Sequence, residues 1–134
     1  MLSLGLPTVR RRSYSALRPG RVDRPRVLAC ISIAMGLCLL TPTRAARLFG
    51  LGSRPGLMTA IASRDLAIGL LLYFDLSRRA TWLRLHAMAN LVDGTGVGIA
   101  LCLRRMPAGR GLGWLLLAIV GGTLAWRESR LIDA

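Results

Sequence analysis

Between Arg10 and Arg130 the sequence alternates short clusters of arginine with long apolar runs, and this alternation constrains the fold more than any single motif. The clusters are Arg10–Arg12, Arg18–Arg26, Arg44/Arg47/Arg54, Arg78/Arg79/Arg84, Arg104/Arg105/Arg110 and Arg127/Arg130. Loops flanking membrane spans have this pattern: cations stay at the water interface while about 20 apolar residues cross ~30 Å of hydrocarbon as a helix. The spans read as about 27–42, 57–76, 80–103 and 112–126. Hydrocarbon offers the backbone no hydrogen-bond partner, so each span must satisfy its own peptide groups. The expected fold class is all-α, an integral membrane bundle of four transmembrane helices with a short interfacial helix after the first.

A chain of 134 residues is one domain at most. Its net charge of +13, from 19 basic residues that are all arginine against 6 acids, raises nucleic acid as a partner. The arginines are segregated between apolar runs, and two Phe and two Tyr supply no interleaved platform for stacking bases. The expected partner is therefore the lipid bilayer, together with a second copy or a membrane complex, and no nucleic acid. A soluble basic nucleic-acid binder is the least favoured alternative. Cys30, Cys38 and Cys102 form neither a CxxC pair nor a disulfide framework and read as small apolar fillers. No cofactor and no metal site are expected; His86 is the sole histidine, which rules out bis-histidine haem ligation within one chain.

Residues 1–26 read as a basic, disordered tail preceding a membrane domain at 27–130. The RRRSYS stretch at 10–15 also resembles a mitochondrial presequence, whereas about fifteen residues between Arg12 and Val27 are too many for a twin-arginine signal. Asp23 can cap the first helix and Pro25 suits its first turn. TRAARLF at 43–49, opened by Pro42 and closed by Gly50, has arginines on one face and apolar residues on another, as an interfacial helix would. GSRPG at 52–56 reads as a turn, and Ser77-Arg78-Arg79 joins spans two and three as a tight antiparallel hairpin. Trp82, Trp114 and Trp126 lie at span ends, where an aromatic belt would place them. With both termini in the cytoplasm, twelve arginines fall inside and six outside, with Arg64 within a span. The expected location is a bacterial cell membrane, multi-pass; a mitochondrial membrane is the alternative if the tail is a transit peptide. Without the tail the arginine count no longer favours this orientation.

Two segments carry polar groups inside apolar runs. In HAMANLVDGTGVGIA, 86–100, the glycines do not match a GxGxxG fingerprint, no Walker lysine exists, and Asp93 alone could ligate calcium. The helical reading fits: His86, Asn90, Asp93 and Val97 share one face, and Gly94 and Gly98 form a small-xxx-small pair on the adjoining one. The second span carries Arg64-Asp65, with Gly69 four residues after Asp65 as a further close-packing position. Ionised groups at membrane depth face the bundle and pair. Around a turn near Arg78, Arg64 lies fourteen residues before and Asp93 fifteen after, so the two are level. Asp65 is level with Asn90 and Leu91, either joining this layer or pairing across an oligomer. Arg64, Asp65, Asn90 and Asp93 thus form one expected polar layer, extended toward the cytoplasm by His86. Two readings stay open: an ion pair that fixes helix register, or a pocket that binds a small ligand or relays a proton. Asp75, beside Arg78 and Arg79, reads as a solvated helix-end charge.

The LLTPTRAARLFG turn after the first span, RDLAIG at 64–69 and VDG at 92–94 together resemble the small four-helix membrane proteins of unknown function grouped with the DoxX-like family. The resemblance covers about 27–126 and implies fold and membrane residence. DoxX itself is tied to a thiosulfate:quinone oxidoreductase, but no cofactor or catalytic motif here carries that link over. The expected role is a small polytopic membrane protein whose polar layer binds or passes a small molecule or supports a membrane complex. A redox subunit handling a quinone is the alternative. No catalytic residue is assigned, and enzymatic activity is left open.

Overall fold

The computed structural model describes residues 23–41 and 55–133, and all regular structure among them is helical. In chain order these are α1 (Arg24–Leu39), α2 (Pro55–Phe74), a single 3-10 turn (Leu76–Arg78), α3 (Arg79–Cys102) and α4 (Ala108–Asp133). The tail before Asp23 and the interfacial segment at 43–49 lie outside the described residues. α2, α3 with its preceding turn, and α4 are long and apolar enough to cross a membrane. α1 is not: its 16 residues rise about 24 Å, short of ~30 Å of hydrocarbon. It stops at Leu39, three residues before the expected end of the span. Of the expected 52–56 turn, residues 55 and 56 belong instead to α2, which begins at Pro55, and 52–54 lie outside the described residues; proline suits a first helical turn, where its missing N–H has no partner to lose. α4 runs beyond both ends of the expected 112–126 span.

Local chemistry accounts for the helix starts. The Asp23 carboxylate accepts from the Arg26 backbone N–H, with proline in the first turn of α1. Asp75 caps the 3-10 turn, accepting from the Arg78 backbone N–H at 3.3 Å, the Ser77 hydroxyl at 2.5 Å and the Trp82 indole N–H at 3.1 Å. α3 is continuous through Gly94, Gly96 and Gly98, so the glycines form no loop.

The bonds from Ser77 and then from Trp82 and the backbone hold the Asp75 carboxyl below the usual carboxylate range. The folded chain therefore binds that proton more weakly than the unfolded chain. The cap's contribution is complete above about pH 4 and is lost as pH falls through the lower folded value. Asp75→Asn is expected to flatten this acid limb in melting curves taken at stepped pH; an unchanged limb would show that the cap does not set it.

The helices join as two close pairs, α1 with α2 and α3 with α4, while α2 and α3 touch more lightly. Glycines make the first pair close. A Cβ at Gly36 would lie 2.9 Å from the Ala62 carbonyl oxygen, and one at Gly69 would lie 3.0 Å from the Ala29 carbonyl oxygen. All four helices meet at the end holding the 3-10 turn, around Leu28, Ala29, Leu72, Leu83, Ala87 and Ala125. A smaller cluster of Leu39, Met58 and Ala62 closes the other end of the α1–α2 pair.

The four-helix end is tied by charge. Arg79 reaches Asp23 at 3.2 Å, Arg24 reaches Glu128 at 3.1 Å, and Arg84 bonds Asp133. Arg26 pairs with Asp23 and lies over the Tyr73 ring at 5.9 Å. With Asp75 in its cap, four of the chain's six acids are committed at this end; the other two, Asp65 and Asp93, lie within α2 and α3.

Candidate functional site

Arg64 is the tenth of twenty residues in α2 and so stands about 15 Å from either end. Its Nη1 donates to Asp93 Oδ1 at 2.8 Å, and its Nη2 to Asp93 Oδ2 at 2.6 Å. This is the bidentate fork that a planar guanidinium makes with a carboxylate. The same guanidinium holds Asp65, with Nε and Nη2 both donating to Asp65 Oδ1 at 3.0 and 2.7 Å. Asp65 Oδ2 receives neither bond. The long arginine side chain bridges α2 and α3 where the backbones are only lightly in contact. The side chains stay partly open, at 28% for Arg64, 18% for Asp65 and 34% for Asp93.

Asn90 stands apart from this triad. Its amide donates to the His86 carbonyl at 2.9 Å, and its side chain lies against Gly121 and Gly122 of α4, where an added Cβ would come within 3.3 Å of it. The reason is angular: Asn90 and Asp93 are three residues apart and so point about 60° apart around α3. His86 is two turns from Asp93 on nearly the same face. Its Nδ1 meets the Ser32 hydroxyl of α1 at 2.9 Å; which of the two donates follows the tautomer. Ser32 is 3% exposed and was missed in the sequence; its signal was a lone hydroxyl in the middle of the first apolar run.

The glycine expectations divide. Gly69 packs tightly against α1, and Gly94 makes ordinary contact with Ala118 and Leu115 of α4. Gly98 is corrected: a Cβ there would meet nothing within 4 Å. Among the described residues no neighbouring helix closes on Gly98, whereas farther along α3 the Leu101 side chain packs against Gly111 of α4. Gly36, Gly121 and Gly122, which do seat neighbouring helices, were not singled out beforehand.

Ser32→Ala is expected to lower stability by about 1 kcal/mol, because it leaves the part-buried His86 nitrogen without its partner. Thermal unfolding in detergent reads this directly, and an unchanged midpoint would remove the bond from the account.

Among the described residues no group of three or more His, Cys, Asp or Glu side chains is arranged to hold a metal ion. What the triad can do is present one fixed cation between two carboxylates, part-exposed at the middle of two helices. No family model, curated protein or solved structure matches the chain.

Proposed function

We propose that this chain is a small polytopic membrane protein whose Arg64–Asp65–Asp93 layer is an intramembrane binding site for a small molecule or ion. The observation that carries the reading is the pairing of Arg64 with two carboxylates at mid-helix, where a plain register device needs only one. Charged groups at membrane depth face a bundle interior or a wet cavity and mark functional positions. The outward surface supports lipid residence: Leu91, Val92, Leu116 and Leu117 are all about 60% exposed, an apolar face that water would not tolerate over whole helices. The DoxX-like resemblance agrees with membrane residence and adds no chemistry. The multi-pass topology keeps both termini in the cytoplasm.

A second reading, a subunit of a membrane complex, is favoured by the groove between α3 and α4. Asn90, Gly94, Thr95, Gly122, Thr123 and Trp126 help line it, and it opens on the outer surface.

Mass spectrometry of the chain purified in mild detergent tests the site. Arg64→Lys keeps the charge and loses the fork; Asp93→Asn keeps the shape. A small molecule bound to the wild type and lost from both variants supports the site. Retention by both variants refutes it, as does a bare wild type whose variants leave the host unaffected.

A further inference from the structure

Among the described residues the charge of the layer does not balance, and this deepens the site reading, on which it rests. One guanidinium faces two carboxylates. Each element around the layer can be searched for a second cation. α2 supplies only Arg64 at this depth. α3 supplies Asp93 and, two turns away, His86, whose ring nitrogen is engaged by Ser32 of α1; its cations Arg79 and Arg84 are held at the four-helix end by Asp23 and Asp133. The cations of α1, Arg24 and Arg26, are held at the four-helix end by Glu128 and Asp23. α4 carries its charges on its terminal turns: Arg110 at one end, and Arg127, Glu128, Arg130 and Asp133 at the other. No second cation among the described residues reaches the layer, and their charges there sum to one unit negative.

The two carboxylates are not equivalent. Both oxygens of Asp93 are occupied by Arg64, whereas Asp65 gives Arg64 only Oδ1. We propose that Asp65 is a proton-binding site, with the proton on Oδ2, and that this proton neutralises the layer. The proton comes from a solvent hydronium ion, whose O–H bond breaks to leave water as one O–H bond forms at Oδ2. It breaks no bond to Arg64, because both of those end on Oδ1. Its release returns Asp65 to the carboxylate and leaves the layer at −1. A proton suits the position better than a metal cation, because the described residues offer no further acidic ligand to complete a coordination shell.

Infrared spectroscopy of the full chain in lipid nanodiscs at neutral pH tests this, because a protonated carboxyl absorbs apart from carboxylates and shifts in heavy water. The wild type is expected to show one such band, absent from Asp65→Asn. The band is also expected to vanish in Asp93→Asn, since Asp65 then becomes the sole counter-charge of Arg64 and ionises. Absence of the band in the wild type, or its survival in Asp65→Asn, overturns the assignment. A band that sodium chloride abolishes in a saturable way also overturns it, and gives the site to a metal cation. The wild-type spectrum stands without any variant having to fold. A missing band in a protein that still loses its bound molecule on Arg64→Lys would sink the proton and leave the site reading intact.

Discussion

Arg64→Leu is expected to be the most damaging single substitution in the chain. It leaves Asp65 and Asp93 facing each other between α2 and α3 with no cation, and breaking a buried ion pair from one side costs about 3–5 kcal/mol. The partial openness of the three side chains places the effect at the lower end, near ~3 kcal/mol. Asp93→Leu is expected to cost less, because Asp65 remains on the guanidinium. Arg64→Leu with Asp93→Leu recovers part of the loss, leaving one carboxylate in place of two. The triple change to leucine at 64, 65 and 93 is expected to be neutral or stabilising, since apolar replacement of a whole buried ion cluster has gained about 1–4 kcal/mol elsewhere. The charge swap Arg64→Asp with Asp93→Arg keeps one cation between two carboxylates, and it should melt above either single variant. Melting temperatures and monodisperse yields in detergent rank the set. If the swap is no better than the worse single variant, the pairing is wrong. A triple variant that folds well yet no longer carries the bound molecule would separate the site from the scaffold.

The second large effect is expected where α1 meets α2. A Cβ at Gly36 would fall 2.9 Å from the Ala62 carbonyl oxygen and 3.0 Å from the Leu66 nitrogen. At Gly69 it would fall 3.0 Å from the Ala29 carbonyl oxygen and the Ile33 nitrogen. These are backbone atoms, so relief requires the helices to move apart rather than a side chain to rotate. Gly36→Ala or Gly69→Ala is expected to cost about 1–3 kcal/mol, the usual range for overpacking, and leucine at either position more. Gly96 and Gly98 face open space, and alanine there is expected to be neutral or to gain up to about 1 kcal/mol of helix propensity. Gly111→Ala first meets the Leu101 side chain, which can turn aside, so its cost should fall between. Equal melting shifts at Gly36 and Gly98 would contradict the close α1–α2 packing.

The same residues explain what could be read from the sequence. Arg64 and Asp93 could be matched because a very short turn pins the hairpin register, and counting outward from Arg78 gives depth. Counting does not give azimuth. Asn90 was placed at the right level but turns toward α4, and Asp65 could be assigned to the triad only once the side-chain directions were known. Small-xxx-small spacing behaves similarly: Gly94 and Gly98 satisfy it equally, but a glycine matters only where another helix passes, and α4 lies against the first of them. Ser32 and Gly36 were hidden because one hydroxyl or one missing Cβ hardly disturbs an apolar run. The first helix has the expected 16 residues but lies three residues earlier, because it is capped at Asp23 and closes at Leu40, before Thr41-Pro42.

Membrane embedding underlies every reading of the layer, and the native cysteines test it most directly. Cys30 lies within α1, whereas Cys102 is the last residue of α3, and both are exposed on the isolated chain. With a membrane-impermeant maleimide on intact cells, Cys102 is expected to label from outside and Cys30 to stay unlabelled until detergent is added. Labelling of Cys30 at the same rate in intact membranes and in detergent would contradict the membrane-embedded bundle.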